Sequence, residues 1–402
     1  MSPKRMKILD VNPKKIMPPD PILALDARYK ADTRREKMNA GVGVFCGEDG
    51  KIFMPQVVAD SWKNLDLGPK GYFGPTGEEM YLGHRDFIIG TANFVFGKFA
   101  KELLEERKLA AIGTPGGTGA VSIMAAAVRH MRPGTPMVIG IPTWSNHLGI
   151  AEDNELPVIK YNHMKDNKYN IEANLDAIRK SPQDSVVVFH TGKTHNPTGV
   201  NPSTEKEWRE LAQATQGRIA FFDAPYAGFE GGLILDTEAI RIFMEEGIQV
   251  AVAVSYSKNA GIYDLRCGAL LIPCSNEKQA KYIQGIVNGK ARTQFSNPPS
   301  TGELIMAPIL KSQELFNQFD SQLGVSRENL RKRRAVIAET ASGLSFVTDQ
   351  FGLFSMLPLN PEQVEDMYAK YAITMSVSGR ANIGGVTVSQ AKRLAEAFKE
   401  VV

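Results

Sequence analysis

Lys258 lies in the stretch Ser255-Tyr-Ser-Lys-Asn-Ala-Gly261, just past the apolar run Ala251–Val254. A lysine at the carboxyl end of a strand occupies the place where open α/β sheets bind their ligands. With its pKa lowered, it can form a Schiff base with a carbonyl compound. A lone lysine is usually a solvated surface group, but serines, a glycine and Arg266 crowd around this one. Ser255 and Ser257 offer hydroxyls to a phosphate, and Arg266 can pair with one bidentately.

Four further segments carry compatible chemistry. Gly113-Thr-Pro-Gly-Gly-Thr-Gly-Ala120 precedes a helical pattern. Clustered glycines let backbone N–H groups approach an anion at a helix start, and Thr118 adds a hydroxyl. The segment is neither the dinucleotide fingerprint nor a P-loop, and a tight turn would use the same glycines. Asp223 ends the run IAFFD, where an unpaired carboxylate is costly to bury. A pyridinium nitrogen would serve as its cationic partner; capping a turn is the plainer alternative. Tyr226, in the same loop, can donate its hydroxyl to a ring oxygen. Asn196, in HNPTG, belongs to a turn by default, yet it follows another apolar strand. PTWSNH supplies Trp144, a face for an aromatic ring, and His147, a partner for Asp223, although both residue types are equally at home in a core. An anion cradle, an aromatic plate, an Asn, an Asp–Tyr pair and a Lys at successive strand ends together suit a phosphorylated pyridine aldehyde.

The elements that must position these residues alternate along the chain. Pro136–Gly140, Ser185–His190, Ile219–Asp223, Gln249–Ser255 and Cys267–Ile272 read as strands. Ala120–Arg129, Thr204–Ala214 and Thr237–Glu246 read as helices. Apolar strands separated by helices indicate a mostly parallel sheet covered on both faces. Beyond about residue 300, helical Arg327–Glu339, Pro361–Tyr371 and Val388–Lys399 surround a strand-like Phe346–Met356, a smaller α+β unit. The expected division is an arm with part of the small domain (1–50, read as irregular), a large cofactor-binding domain (51–310) and a small domain (311–402).

Composition excludes several other classes. The 402 residues carry a formal charge of +3, with Lys and Arg scattered, so nucleic acid is not an implied partner. Three cysteines cannot form a disulfide framework or a thiolate metal site, and a reducing, cytoplasmic setting follows. The basic N-terminus lacks the apolar core of a signal peptide, and the apolar runs are strand-sized, so no membrane span is expected. No metal is expected, since no histidine pair has zinc-hydrolase spacing.

On the segments TPGGTGA, PTWSNH, HNPTG, FFDAPYAGF, SYSKNAGIYDLRCGA and ARTQFSNPPSTG, in that order, the chain resembles the class I, fold-type I aminotransferases that act on aspartate and aromatic amino acids. The likeness runs from ILALDARYKAD to SGRANIGG. It implies a seven-stranded large domain, pyridoxal 5′-phosphate as cofactor, and ping-pong transamination between amino and 2-oxo acids through pyridoxamine phosphate. Lys258 would bond the cofactor and then move the substrate's Cα proton. Gly117, Thr118, Ser255, Ser257 and Arg266 would hold the phosphate. Trp144 would stack on the ring, Asp223 would hold the ring nitrogen's proton with His147 behind it, and Tyr226 and Asn196 would bond the ring oxygen. Arg380 resembles the clamp for the substrate α-carboxylate, and Gly41 lies in the segment lining the substrate side. Tyr72 and Arg292 resemble residues that reach the neighbouring subunit's site in a homodimer, Tyr72 to the phosphate and Arg292 to the side-chain carboxylate of aspartate or glutamate. Arg292 favours an aspartate aminotransferase. A broad or aromatic enzyme, a different reaction of the same cofactor, and a non-catalytic binding or regulatory protein are the alternatives. Three departures bear on substrate: Gly71 before Tyr72, the side chains of NAGVGVFCGEDG, and a HTGKTHNPTG loop one residue longer than usual, which puts Lys193 near the cofactor wall.

Overall fold

The computed structural model describes residues 21–66, 68, 71–72 and 80–402. Its centre is a seven-stranded sheet built from β1 (Leu109–Pro115), β2 (Met137–Ile141), β3 (Val158–Asn162), β4 (Val186–His190), β5 (Ile219–Ala224), β6 (Gln249–Ser255) and β7 (Cys267–Pro273). The spatial order is β1-β7-β6-β5-β4-β2-β3, with β7 antiparallel to both neighbours and every other pair parallel.

Side chains on a strand alternate between faces, and the two main cores follow that period. Phe222, Val187, Val250 and Val252 pack on one face against helices that include Arg85–Phe96 and Ser300–Lys311. Phe221, Val186, Val188, Ala251 and Ala253 pack on the other, against Gly116–Met131 and Glu277–Gln294. Burial on both faces is why these strands read as continuous apolar runs. The edge strand β3 is largely solvent-accessible and carries no such run, so its sequence gave no signal.

A third core joins Met38 and Ala40 to residues between Ile337 and Phe398. Met38–Asn39 pairs in parallel with Ile373–Thr374, and Phe354–Met356 pairs with Arg380–Asn382. The early segment expected to be irregular contains a helix, Pro21–Ala31, begun by a proline whose fixed φ suits a first turn. The strand expected over Phe346–Met356 shrinks to Phe354–Met356, preceded by a 3₁₀ stretch, Ser342–Asp349. The partner strand is only Arg380–Asn382, and Gly352, at φ +73°, turns the chain out of extended geometry just before Phe354. The turned segment is held by Arg334, buried in the long helix Gln313–Thr340, whose guanidinium donates to the carbonyls of Val347 (3.2 Å), Gly352 (2.9 Å) and Phe354 (2.9 Å). Among the described residues, no helix is long and apolar enough to cross a membrane.

Candidate active site

The carboxyl ends of β4, β5 and β6 open into a cavity of about 230 Å³. Helix Gly116–Met131 starts at its edge, so the first-turn residues Gly117 and Thr118 present the helix's N-terminus to the space. Gly116 has φ +71°, and a Cβ there would lie 2.5 Å from Nη2 of Arg266. Only glycine therefore lets the guanidinium close over the helix start. Arg266 donates to Ser257 Oγ at 3.1 Å, and Ser255 Oγ lies 3.2 Å from Ser257 Oγ. Two hydroxyls, a guanidinium and a helix start thus converge on one corner, the donor set of an anion site.

Asp223 lies at the centre of the cavity floor, almost fully buried. His147, on the helix Ser145–Asp153, places Nε2 3.1 Å from Asp223 Oδ2 and Nδ1 2.9 Å from Thr143 Oγ1. His190 pairs with Asp223 across the β4–β5 ladder, and its Nε2, otherwise unpartnered, is 3.8 Å from the same Oδ2. The donor atoms of His147, His190 and Asp223 all lie within 4.8 Å of one another. Burial raises the Asp223 pKa, but the His147 hydrogen bond and the surrounding positive charges outweigh it and the net shift is downward. Burial also drives His190 down to about 3, leaving it a neutral donor or acceptor. The floor is therefore a buried carboxylate, held ionised.

Lys258 borders the cavity with Nζ 4.7 Å from the centre of the Tyr226 ring. Burial lowers its pKa to about 8, against an opposing pull from Asp223 and with help from Arg266 and Arg380. About a tenth of this amine is unprotonated at pH 7, far more than for an ordinary lysine, as a nucleophile requires. Capture of an aldehyde cofactor by the apo-protein should accordingly be level above about pH 8 and slow about tenfold per pH unit below it. Stopped-flow absorbance measures this; a flat profile from pH 6 to 9 would contradict it. Burial, followed by the Asp223 charge, pushes Tyr226 far above its usual range, so its hydroxyl stays a donor.

Arg380 closes the opposite wall. Nη2 donates to the Gly41 carbonyl at 2.7 Å and Nη1 to Asn196 Oδ1 at 3.4 Å, while the guanidinium packs 4.7 Å from the Phe354 ring centre. Its Nε is buried without a partner among the described residues.

Of the residues read from sequence, Gly117, Thr118, Trp144, Asn196, Asp223, Tyr226, Ser255, Ser257, Lys258, Arg266 and Arg380 line the cavity. His147 sits behind it, and Gly41 touches it only through Arg380. Tyr72, 85% exposed, and Arg292, exposed at the end of Glu277–Gln294, lie outside it. Lys193 is not on its wall. Its ammonium is 3.4 Å from Glu230 and lies over Phe351, contacts that hold it away from the cavity. Gly43, Ser145, His190, Pro225, Tyr263 and Phe354 line the cavity without having been singled out. His190 ends its strand just as Asp223 does, a signal that could have found it. Phe354 depends on the pairing of its strand with Arg380–Asn382 and carried none. A larger cleft, about 590 Å³, lies at the strands' opposite ends beside Ile219 and Gln249 and holds none of these residues.

The sequence profile of the family described as aminotransferase class I and II matches residues 35–398. The mitochondrial aspartate aminotransferase of Arabidopsis thaliana is 33% identical over 395 residues, covering 96% of this chain and 90% of that protein. The aromatic-amino-acid aminotransferase of Burkholderia pseudomallei, solved covalently bound to pyridoxal phosphate, superposes with a TM-score of 0.88 at 29% identity, covering 96% of this chain and 98% of that one. The cytoplasmic aspartate aminotransferase of Saccharomyces cerevisiae gives 0.88 at 28% identity, covering 98% and 97%.

Proposed function

The chain belongs to the class I and II aminotransferases and is a pyridoxal-phosphate-dependent transaminase of the aspartate/aromatic group, and from that premise we propose that it is an aspartate aminotransferase working as a homodimer. The observation that carries the substrate assignment is a pair of guanidiniums in different settings. Among the described residues, Arg380 faces the cavity with a buried Nε that has no partner, whereas Arg292 is exposed and bonded to Ser296 Oγ at 2.5 Å. A dicarboxylic substrate needs two such forks. Arg292 serves none in its own subunit, so it is offered to a second copy, as is exposed Tyr72.

The residues at the cavity fit the cofactor: Thr118, Ser255, Ser257 and Arg266 form a phosphate corner, and Asp223 is a buried carboxylate lacking a fixed cation. Once bound, the protonated pyridine supplies an electron sink for the charge left when a proton leaves the substrate's Cα. In this reading Arg380 grips the α-carboxylate, steadied by Gly41 and Asn196. Trp144 offers an aromatic face, Asp223 holds a proton at the ring nitrogen, and His147 and His190 hold Asp223. Tyr226 donates to the ring oxygen. Lys258 Nζ would hold the cofactor through its aldehyde carbon, and as a free amine would move the Cα proton of the substrate. We take the chain to divide near residues 50 and 310, with the first segment joining the C-terminal unit, and assign it to a reducing, cytoplasmic setting in keeping with its three free, buried thiols.

A broad or aromatic enzyme is the second reading, favoured by the aromatic walls Trp144, Tyr263 and Phe354. Arg292→Ala separates the two. Losing one buried charge-pair partner costs about 2–5 kcal/mol, so kcat/KM for aspartate should fall on the order of 10²- to 10³-fold. Phenylalanine should change less than tenfold. A similar loss for both amino acids, or for neither, would overturn the aspartate assignment.

A further inference from the structure

Glu303, in the helix Ser300–Lys311, is fully buried and lies outside the cavity. Its Oε2 accepts the backbone N–H of His84 at 2.7 Å, and its Oε1 has no hydrogen-bond partner among the described residues. His84 heads the helix Arg85–Phe96 and offers no side-chain cap. The acceptor that a capping-box glutamate would supply from the same helix is delivered here from another one.

The carboxyl occupies a space that two glycines leave open. A Cβ on Gly113 would lie 1.9 Å from Oε1, and one on Gly83, where φ is +122°, would lie 3.1 Å from Oε2. Gly113 belongs to β1 and donates its N–H to the Leu82 carbonyl at 2.8 Å, while Leu82 pairs with Ile112 in a parallel bridge. Residues 82–84 are thus tied to β1 by backbone bonds and by the Glu303 carboxyl lodged between the two segments. Downstream, β1 runs directly into Gly116, Gly117 and Thr118.

We propose that Glu303 is a positioning residue for the cofactor's phosphate corner: seated over Gly113, it fixes residues 82–84 against β1 and so fixes where the strand delivers Gly116–Thr118. The proposal rests on the reading of that corner given above. Glu303 does this as the neutral acid. One N–H donor and one orphaned oxygen cannot offset the cost of burying a carboxylate, so the proton resides on Oε1 and leaves Oε2 to accept from His84. Burial accordingly pushes its pKa up to about 8, with only the His84 N–H opposing.

The titratable groups facing it do not change this balance. The His84 imidazole is itself lowered by burial, and the Cys267 thiol on β7 is held well above its usual range by burial and by Glu303. Lys311, on the same helix, is engaged by Asp86 at 2.8 Å. Because the folded pKa lies above the unfolded value of about 4.3, the stability Glu303 contributes is fully present below the unfolded value, is lost progressively as pH rises from there, and is gone once pH has passed through about 8.

The test is amide hydrogen exchange on the full-length holoenzyme from pH 5 to 10, in wild type, Glu303→Gln and Glu303→Ala, with pyridoxal phosphate affinity measured on the same proteins. In wild type, protection of the His84 and Gly113 amides should fall about tenfold per pH unit up to about pH 8, one proton being taken up on closing, and then level off. Glu303→Gln keeps the acceptor and cannot ionise, so its protection should stay level; Glu303→Ala should be poorly protected throughout. The wild-type-to-Gln ratio of cofactor affinity, in which the titration of Lys258 cancels, should weaken over the same range. Equal pH slopes for wild type and Glu303→Gln would overturn the proposal, as would a Glu303→Ala protein with unchanged protection and affinity. Failure of all three proteins to retain cofactor would instead sink the proposed function, and the exchange slopes would still decide the Glu303 interlock.

Discussion

Lys258→Ala is expected to lower transamination on the order of 10⁴-fold or more, the upper range for losing a positioned acid/base and greater still if a nucleophile goes with it. The amine is not a packing element: it stands over the Tyr226 ring and borders the cavity, so its removal leaves the fold intact. Visible absorbance after gel filtration gives a second readout, because a cofactor held only by the phosphate corner should be lost on dilution. Lys258→Arg keeps a cation but has no neutral amine at accessible pH, and should be equally inactive. Activity of Lys258→Ala within tenfold of wild type would contradict the assignment of this residue as acid and base.

Asp223→Ala comes next in size. Removing a preorganised electrostatic partner from a water-poor site costs about 10²–10³-fold in kcat, and this carboxylate is held ionised despite deep burial. The phosphate corner does not include Asp223, so cofactor affinity should change far less than kcat. Circular dichroism and the cofactor's dissociation constant check that the loss lies in the chemical step. His147→Ala should cost less than tenfold, because His190 still faces Asp223 Oδ2. Equal losses of affinity and kcat in Asp223→Ala would place this residue in binding alone.

These two positions were readable from sequence for a local reason. Strands buried on both faces announce themselves as apolar runs, so the residue that ends each run is identifiable without coordinates. Lys258 follows AVAVS and Asp223 ends IAFFD, and in an open sheet strand ends on one edge share a ligand site. The glycines before Gly116–Met131 gave the anion corner in the same way, once the helix start lay among them. The order of the motifs added the cofactor and the family.

What the sequence by itself determined, then, is five strands of the sheet and the residues that end them, because burial on both faces leaves apolar runs a few residues long; the count of seven came from the family resemblance. Only the tertiary structure decided which groups arrive from far along the chain. His190 reaches Asp223 through the β4–β5 register, and Phe354 reaches Arg380 because Phe354–Met356 pairs with Arg380–Asn382. Gly41 meets the site only through the guanidinium of Arg380. Glu303 reads as an ordinary helical glutamate until burial over Gly113 and Gly83 makes it a neutral acid. The physical reason is common to all four. Their roles depend on desolvation and on contacts between residues distant in sequence, and neither leaves a periodic trace in the local pattern.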